Sequence, residues 1–489
     1  MASAGPSTAL RLEQDFLGER GVPGDAYYGI HTLRALENFP ISGDALYRYP
    51  GLIVALVDIK QAAALANHEL GLLDAARCNA IVGACQAIRQ GQCRDDFVVD
   101  VIQGGAGTST NMNANEVVCN KALELLGRKR GQYEYLHPNE HVNMSQSTND
   151  VYPTALKIAS LRSALELVAA MRRLQSSFAQ KAEEFRDVLK VGRTQLQDAV
   201  PMTLGQEFSA FSAMLADDVS RLGEALDQIG EINLGATAIG TGINTHPQYA
   251  GVVLGYLRDI TGLRLDTAPN LVQATQDCGA FVHLSGMVKR AAVKLSKICS
   301  DLRLLSSGPR AGLGEINLPP VQAGSSIMPG KVNPVIPEVV NQVAFEIVGN
   351  DVTVSMAAEA GQLQLNAFEP IIAYSLFRSI DHLRRACIVL DEKCVRGITA
   401  NKGFLQERLE KSLALVTALN PYIGYRNSTS VAQEALHTGE SVSEIVLRRG
   451  LLSPEMLEEV LRADLLTSPR LLAALPPETA LRESKAIEL

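Results

Sequence analysis

From Thr154 to about Val188 the chain has neither glycine nor proline, and Leu161, Leu165, Val168, Met171, Leu174, Phe178 and Phe185 recur at spacings of three, four or seven. That period predicts one helix with an apolar stripe. A helix of about 35 residues is about 50 Å long at 1.5 Å per residue, so its stripe must be covered by partners of similar length. The chain supplies them. After Pro201 a second helical stretch runs to about Ile232, with Thr203 and Gln206 at capping-box spacing. Others are predicted near Leu271–Leu305 and over 337–364 and 369–397. Residues 150–400 therefore hold five long helices and few alternating β-branched runs, the pattern of an elongated helical bundle. Helices this long cannot all bury their stripes in a slender monomer, so part of that surface is expected to pair between subunits.

The flanks are different. Residues 1 to about 50 are broken by Gly18, Gly21, Pro23, Gly24, Gly29, Pro40 and Gly43 and read as irregular, whereas 52–90 is Ala- and Leu-rich and helical. Beyond residue 400 the helices shorten. Ser441 with Glu444 has capping-box spacing, and Ser453-Pro454-Glu455 reads as an N-cap followed by proline. Asp464 to Leu489 is expected to end loosely. The expected division is a mixed, mostly helical N-terminal domain (1–146), a central long-helix domain (147–400) and a small C-terminal helical domain (401–489).

With a net charge of −8 and scattered lysines and arginines there is no basic face, which argues against nucleic acid. No apolar run reaches about 18 residues, so no membrane-spanning helix is predicted. The N-terminus lacks the basic and apolar signal pattern. Eight cysteines occur without a Cys-x-x-Cys motif. Cys78 and Cys85, like Cys387 and Cys394, lie two helical turns apart, too far for a disulfide. Reduced, mostly buried thiols in a cytoplasmic protein are expected.

Four polar stretches interrupt the helices. Gly324-Ser-Ser-Ile-Met-Pro-Gly-Lys-Val-Asn-Pro334 packs two hydroxyls, a lysine and an asparagine into a segment that glycines and prolines keep from regular structure. It is not a phosphate loop, because five residues separate Gly324 from Gly330 where four are needed, and Val332 stands where a hydroxyl should hold Mg2+. Gly104–Glu116 is a glycine-rich turn entering a helix, a common anion-binding arrangement. Asn143–Asp150 and Gly192–Asp198 are the other two. His137 and His141 are four apart, but Pro138 makes them a poor helical metal pair. None of the eight histidines lies in a motif beside Ser325, which disfavours a Ser-His-Asp hydrolase. Ser, Thr, Asn and Gln are poor metal ligands. They suit an acidic small molecule, since neutral donors hydrogen-bond a carboxylate without burying an unpaired charge.

The 324–334 loop resembles the signature of the fumarase/aspartase superfamily. The similarity continues through Asp25-Ala-Tyr-Tyr-Gly-Ile-His31, Gly104–Glu116, Ser145–Asp150, Gly192–Phe208, Asn233–Asn244 and Leu304–Pro319. Within the superfamily, Gly104-Gly-Ala-Gly-Thr-Ser109 and Ser147-Thr148 resemble the aspartase (aspartate ammonia-lyase) branch, where fumarases usually read Thr-Gly-Ser-Gly-Thr-Gln and Ser-Ser. Gly361-Gln-Leu-Gln-Leu-Asn366 is shared by both branches.

The resemblance implies a homotetramer with a long helical core and sites shared between subunits. It implies reversible deamination of L-aspartate to fumarate through an aci-carboxylate. Ser325 would be the general base. Thr108, Ser147, Thr148 and Ser326 would hold the side-chain carboxylate. Thr194, Lys331 and Asn333 would hold the α-carboxylate, and Asn149 would face the amino group. No cofactor is implied, although Mg2+ activates some relatives. Gln195 stands where fumarases carry histidine. Loss of hydroxide needs a proton donor, whereas loss of ammonia from a protonated amine does not, so Gln195 favours the amine substrate. Glu315 matches a family position near the site and carries no assigned role. Two rivals are a fumarate hydratase and a non-enzymatic structural protein on the same fold.

Overall fold

The computed structural model describes residues 9–468, and helices dominate it. Strands β1 (Leu10–Asp15) and β2 (Gly18–Pro23) pair antiparallel about a tight turn in which Gly18 takes φ +107°. Helices α1 (Ile30–Asn38), α2 (Pro50–Glu69), α3 (Ala75–Arg89), α4 (Thr108–Leu125) and α5 (Thr148–Glu184) follow. A hairpin of β3 (Leu189–Thr194) and β4 (Gln197–Thr203) leads into α6 (Leu204–Ile229). Next come β5 (Glu231–Ile232), α7 (Tyr249–Thr261), β6 (Asp266–Thr267), α8 (Leu271–Gln276) and α9 (Gly279–Leu305). Then β7 (Ile316–Asn317), α10 (Val335–Glu359), α11 (Glu369–Lys393) and β8 (Thr399–Ala400) follow. The described chain ends with α12 (Lys402–Lys411), α13 (Ala414–Thr438), α14 (Val442–Arg448), α15 (Pro454–Val460) and α16 (Ala463–Leu466).

Two compact units emerge, one of residues 9–171, 217–295 and 342–386, the other of 172–216, 296–341 and 387–468. Five long helices, α5, α6, α9, α10 and α11, each contribute residues to both. In the first unit α2 is buried nearly all round, from Leu52 to Asn67, as a central core helix must be. Its long helices are tied by polar bonds, Ser285 Oγ donating to Asp351 at 2.8 Å and Asn350 Nδ2 to Ser379 Oγ at 3.1 Å. Two buried carboxylates hold the start of α1. Glu116 accepts from the N–H groups of Gly29, His31 and Thr32 and from the Thr32 hydroxyl, while Glu13 accepts from Ile30 N–H. In the second unit Phe178, Phe185, Phe208 and Phe211 pack with centroids 5.3–6.0 Å apart, edge-on except for the tilted Phe178–Phe208 pair. A separate apolar cluster there joins Leu409, Leu415, Leu419, Val431, Ile445, Val446 and Leu457.

The expected long helices are present, except that the stretch from Leu271 to Leu305 breaks at Asp277-Cys278 into the short α8 and the long α9, and both capping boxes and the Ser453 cap are formed. Other expectations need correction. Residues 9–50 are not irregular, since they hold a hairpin and a helix. The helical stretch 52–90 is two helices, parted where Gly71 adopts φ +75°. The polar turn at 192–198 is the tip of a two-stranded hairpin. Part of the expected loose ending at 464–489 lies outside the described residues. Helix α5 begins at Thr148, before the expected start at Thr154, and contains Pro153. Proline has no N–H to bond the Asn149 carbonyl four residues back, and Asn233 Nδ2 donates to that carbonyl instead, at 3.0 Å.

Candidate active site

The first unit carries Thr108, Ser147, Thr148 and Asn149. Gly105, Ala106 and Gly107 all take positive φ, which turns the chain into α4. A Cβ at Gly107 would sit 2.4 Å from the Tyr152 ring, so no side chain fits there. Thr108 Oγ1 donates to Gly105 O at 2.7 Å and must rotate away to serve a ligand. Asp150, fully buried, caps α5 and the facing turn. Its oxygens accept from Ser147 N–H at 2.9 Å, Gly235 N–H at 3.1 Å and Thr237 N–H at 2.9 Å. Burial pushes its carboxyl up to about 6, against the pull of those donors.

These bonds decide what the Ser147-Thr148-Asn149 motif can offer. Ser147 Oγ accepts from Asn149 N–H at 3.3 Å, and Thr148 Oγ1 accepts from Asn111 Nδ2 at 3.2 Å. Both hydroxyl protons therefore stay available to an anion. Asn149 Nδ2 donates to Ala238 O at 2.7 Å, leaving Oδ1 as an acceptor, the polarity an ammonium requires.

The second unit carries Thr194, Gln195, Ser325, Ser326, Lys331 and Asn333. Gln195 and Leu196 both take left-handed φ, +54° and +62°, the turn that suits a two-residue hairpin. Thr194 and Gln195 are exposed at its tip. Sequence reasoning left Glu315 without a role, and it is the anchor of this hairpin. It is buried, with Lys190 Nζ 2.7 Å from Oε2 and Arg193 bonded to Oε1. Lys190 also reaches Glu207 at 2.6 Å. No motif announced this role, because Lys190 and Arg193 lie more than 100 residues away in sequence.

The 324–334 loop closes on itself. Gly324 N–H donates to Lys331 O at 2.8 Å, and Asn333 Nδ2 donates to Gly324 O at 2.9 Å. A Cβ on Gly324 would meet Lys331 O at 2.7 Å, so the closure needs glycine. Ser325 Oγ accepts from the N–H groups of Ile327 and Met328, both at 3.1 Å. Two donors on one hydroxyl oxygen stabilise its anion. Ser326 and Lys331 are exposed on the same loop.

Among the described residues no three His, Cys, Asp or Glu side chains are grouped to hold a metal ion. His141 Nδ1 accepts from His137 N–H at 2.8 Å. The eight cysteines are unpaired thiols, and all but the half-buried Cys93 are buried. Among the described residues no helix is long and apolar enough to cross a membrane.

Residues 18–349 match the family model described as lyase, and residues 415–468 match that of the fumarase C C-terminus. An aspartate ammonia-lyase of Pseudomonas canavaninivorans is 57% identical over 95% of this chain and 98% of its own. The aspartate ammonia-lyase of Escherichia coli K12 is 54% identical over 95% of this chain and 97% of its own. The chain belongs to the aspartate ammonia-lyase family. Among solved structures, one described as fumarate lyase:delta crystallin from Brucella melitensis, bound to cobalt, superposes with a TM-score of 0.92 at 55% identity, covering 94% of this chain and 100% of its own. A class II fumarase from Schistosoma mansoni gives 0.89 at 36% identity, covering 93% and 98%. The expected mainly helical fold of the fumarase/aspartase superfamily is therefore present.

Proposed function

We propose that this lyase catalyses the reversible anti elimination of ammonia from L-aspartate, giving fumarate. Ser325 takes the C3 proton, the electron pair moves into the side-chain carboxylate to form an aci-carboxylate dianion, and collapse of the dianion expels ammonia. The observation that carries the reading is Ser325 Oγ held by two loop N–H groups, the environment an alkoxide base needs. Ser147 and Thr148, with free hydroxyl protons, join Thr108 and Ser326 on the carboxylate where charge builds. Each preorganised donor there contributes on the order of 3 kcal/mol. Thr194, Lys331 and Asn333 take the α-carboxylate, and Asn149 Oδ1 accepts from the amino group. Glycines at both ends of the loop's closure suit it to act as a lid.

The set is completed between subunits of a homotetramer. Phe345, Val348, Val352 and Met356 support this, since they recur along one side of α10 and are exposed, Phe345 by 67% and Met356 by 68%. No step is assigned to a metal, because the set consists of amides, hydroxyls and one lysine, all poor metal ligands. Fumarate hydration is the second reading, supported by the 36% identity to a class II fumarase and opposed by Gln195 at the histidine position. The test is fumarate's ultraviolet absorbance when purified protein receives L-aspartate or L-malate. A rise with L-aspartate alone supports the proposal. A rise with L-malate alone transfers the protein to the hydratases, and none with either points to another amino-dicarboxylate or to a structural role.

A further inference from the structure

Lys60 lies in the middle of α2 with no exposed surface. Burying an ammonium is costly unless each of its donors is matched. Here all three are. Nζ donates to Asn111 Oδ1 at 2.7 Å, to Asn143 Oδ1 at 2.9 Å and to Gln146 Oε1 at 2.9 Å. The amide orientations are fixed by their other ends. Asn111 Nδ2 goes to Asn143 Oδ1 and Thr148 Oγ1, Asn143 Nδ2 to Gln146 O, and Gln146 Nε2 to the carbonyls of Val142 and Met144. Three oxygens thus converge on three ammonium protons. A neutral amine, with two donors, would make only two of these three contacts.

No carboxylate neutralises this charge directly. Asp150 faces Lys60 electrostatically, but its hydrogen-bond donors are the backbone N–H groups of Ser147, Gly235 and Thr237. Cys85 on α3 also faces Lys60, and burial pushes its thiol up to about 12, which keeps it neutral. Burial pulls the lysine down to about 7, against the opposing charge of Asp150. A leucine or methionine would fill the same space more cheaply, so core packing does not account for a lysine here.

One of the three acceptors leads to the candidate site. Asn111, held by Lys60, donates to Thr148 Oγ1, which obliges the Thr148 hydroxyl to point its own proton elsewhere. We propose that Lys60 is a positioning residue for the elimination, fixing the Thr148 hydroxyl as a donor through Asn111 and placing a positive charge behind the carboxylate that becomes doubly charged. This rests on the reading that Thr148 holds the side-chain carboxylate of L-aspartate. The charge acts on the dianion more than on the ground-state carboxylate, so it lowers the barrier more than it tightens substrate binding.

The test uses the full-length protein, and wild type must first convert L-aspartate to fumarate. Failure at that step overturns the functional reading and the Lys60 proposal with it. In an active protein, Lys60→Met should lower kcat at least about 100-fold while KM changes less than about 3-fold. A nitronate analogue, with an aci-nitro group in place of the side-chain carboxylate, mimics the dianion. It should bind about 100-fold more weakly to the variant, and succinate less than about 3-fold more weakly. A kcat within about 3-fold of wild type, or equal weakening of both inhibitors, overturns the proposal. If Lys60→Met does not fold by circular dichroism, Asn111→Ala, Thr148→Val and the double variant decide. The relay predicts that the double variant loses no more than about 3-fold beyond the worse single one, and multiplied losses overturn it.

Discussion

Removing the Glu315 carboxylate should loosen the hairpin that carries Thr194 and Gln195. Glu315 exposes 1% of its side chain, Lys190 3% and Arg193 16%, so water does little to screen the cluster. Breaking a buried ion pair by deleting one partner costs about 3–5 kcal/mol, because the surviving charge is left uncompensated. Here Lys190 would keep Glu207 at 2.6 Å and Arg193 would keep Asp198 at 3.8 Å. The lower end, about 3 kcal/mol, therefore applies to Glu315→Ala, and it corresponds to about a 100-fold shift in the opening equilibrium of the hairpin. Amide hydrogen exchange followed by mass spectrometry over 189–203 reads that equilibrium directly. Because Thr194 is assigned to the α-carboxylate, KM for L-aspartate should rise in the same variant. Exchange within about 3-fold of wild type would refute the anchoring argument, since the cluster would then contribute little.

Two further outcomes are expected. Burial pushes the Glu116 carboxyl up to about 7, above its unfolded value of about 4.3, so its contribution to stability is full below about pH 4.3 and is lost as pH rises through 7. Melting temperature should therefore fall less steeply between pH 5 and pH 8 in Glu116→Gln than in wild type, and an unchanged slope contradicts the assignment. Mixing inactive Ser325→Ala subunits with inactive Thr194→Ala subunits should restore turnover if sites are shared, and no recovery in proven mixed tetramers argues for single-chain sites.

Long-range order was legible where it rested on periodicity. The stripe from Leu161 to Phe185 marked α5 because a helix alone brings residues three, four and seven apart onto one face over so many turns. The hairpin residues Lys190, Val191 and Arg193 gave no such signal. Strands of six or seven residues are too short for alternation to stand out, and β3 is held by a carboxylate more than 100 residues downstream. Polar motifs were legible as such, since glycine and proline at 324, 329, 330 and 334 exclude helix and strand. The working direction of each donor was not. Whether Thr148 gives or accepts a hydrogen bond depends on Asn111, and Asn111 in turn on Lys60, which sequence shows only as a lysine in an apolar helix. The start of α5 was not legible either, because proline usually marks a helix boundary, whereas at Pro153 Asn233 satisfies the carbonyl that proline abandons.

The most direct test of the mechanism is turnover of L-aspartate by Ser325→Ala, measured beside its melting temperature. Ser325 is half-buried and bonds only its own loop, so the variant should melt close to wild type. Loss of the general base should lower kcat by about 1,000-fold or more. A folded Ser325→Ala protein that kept most of its turnover would contradict the assignment of the base and with it the mechanism built on the 324–334 loop.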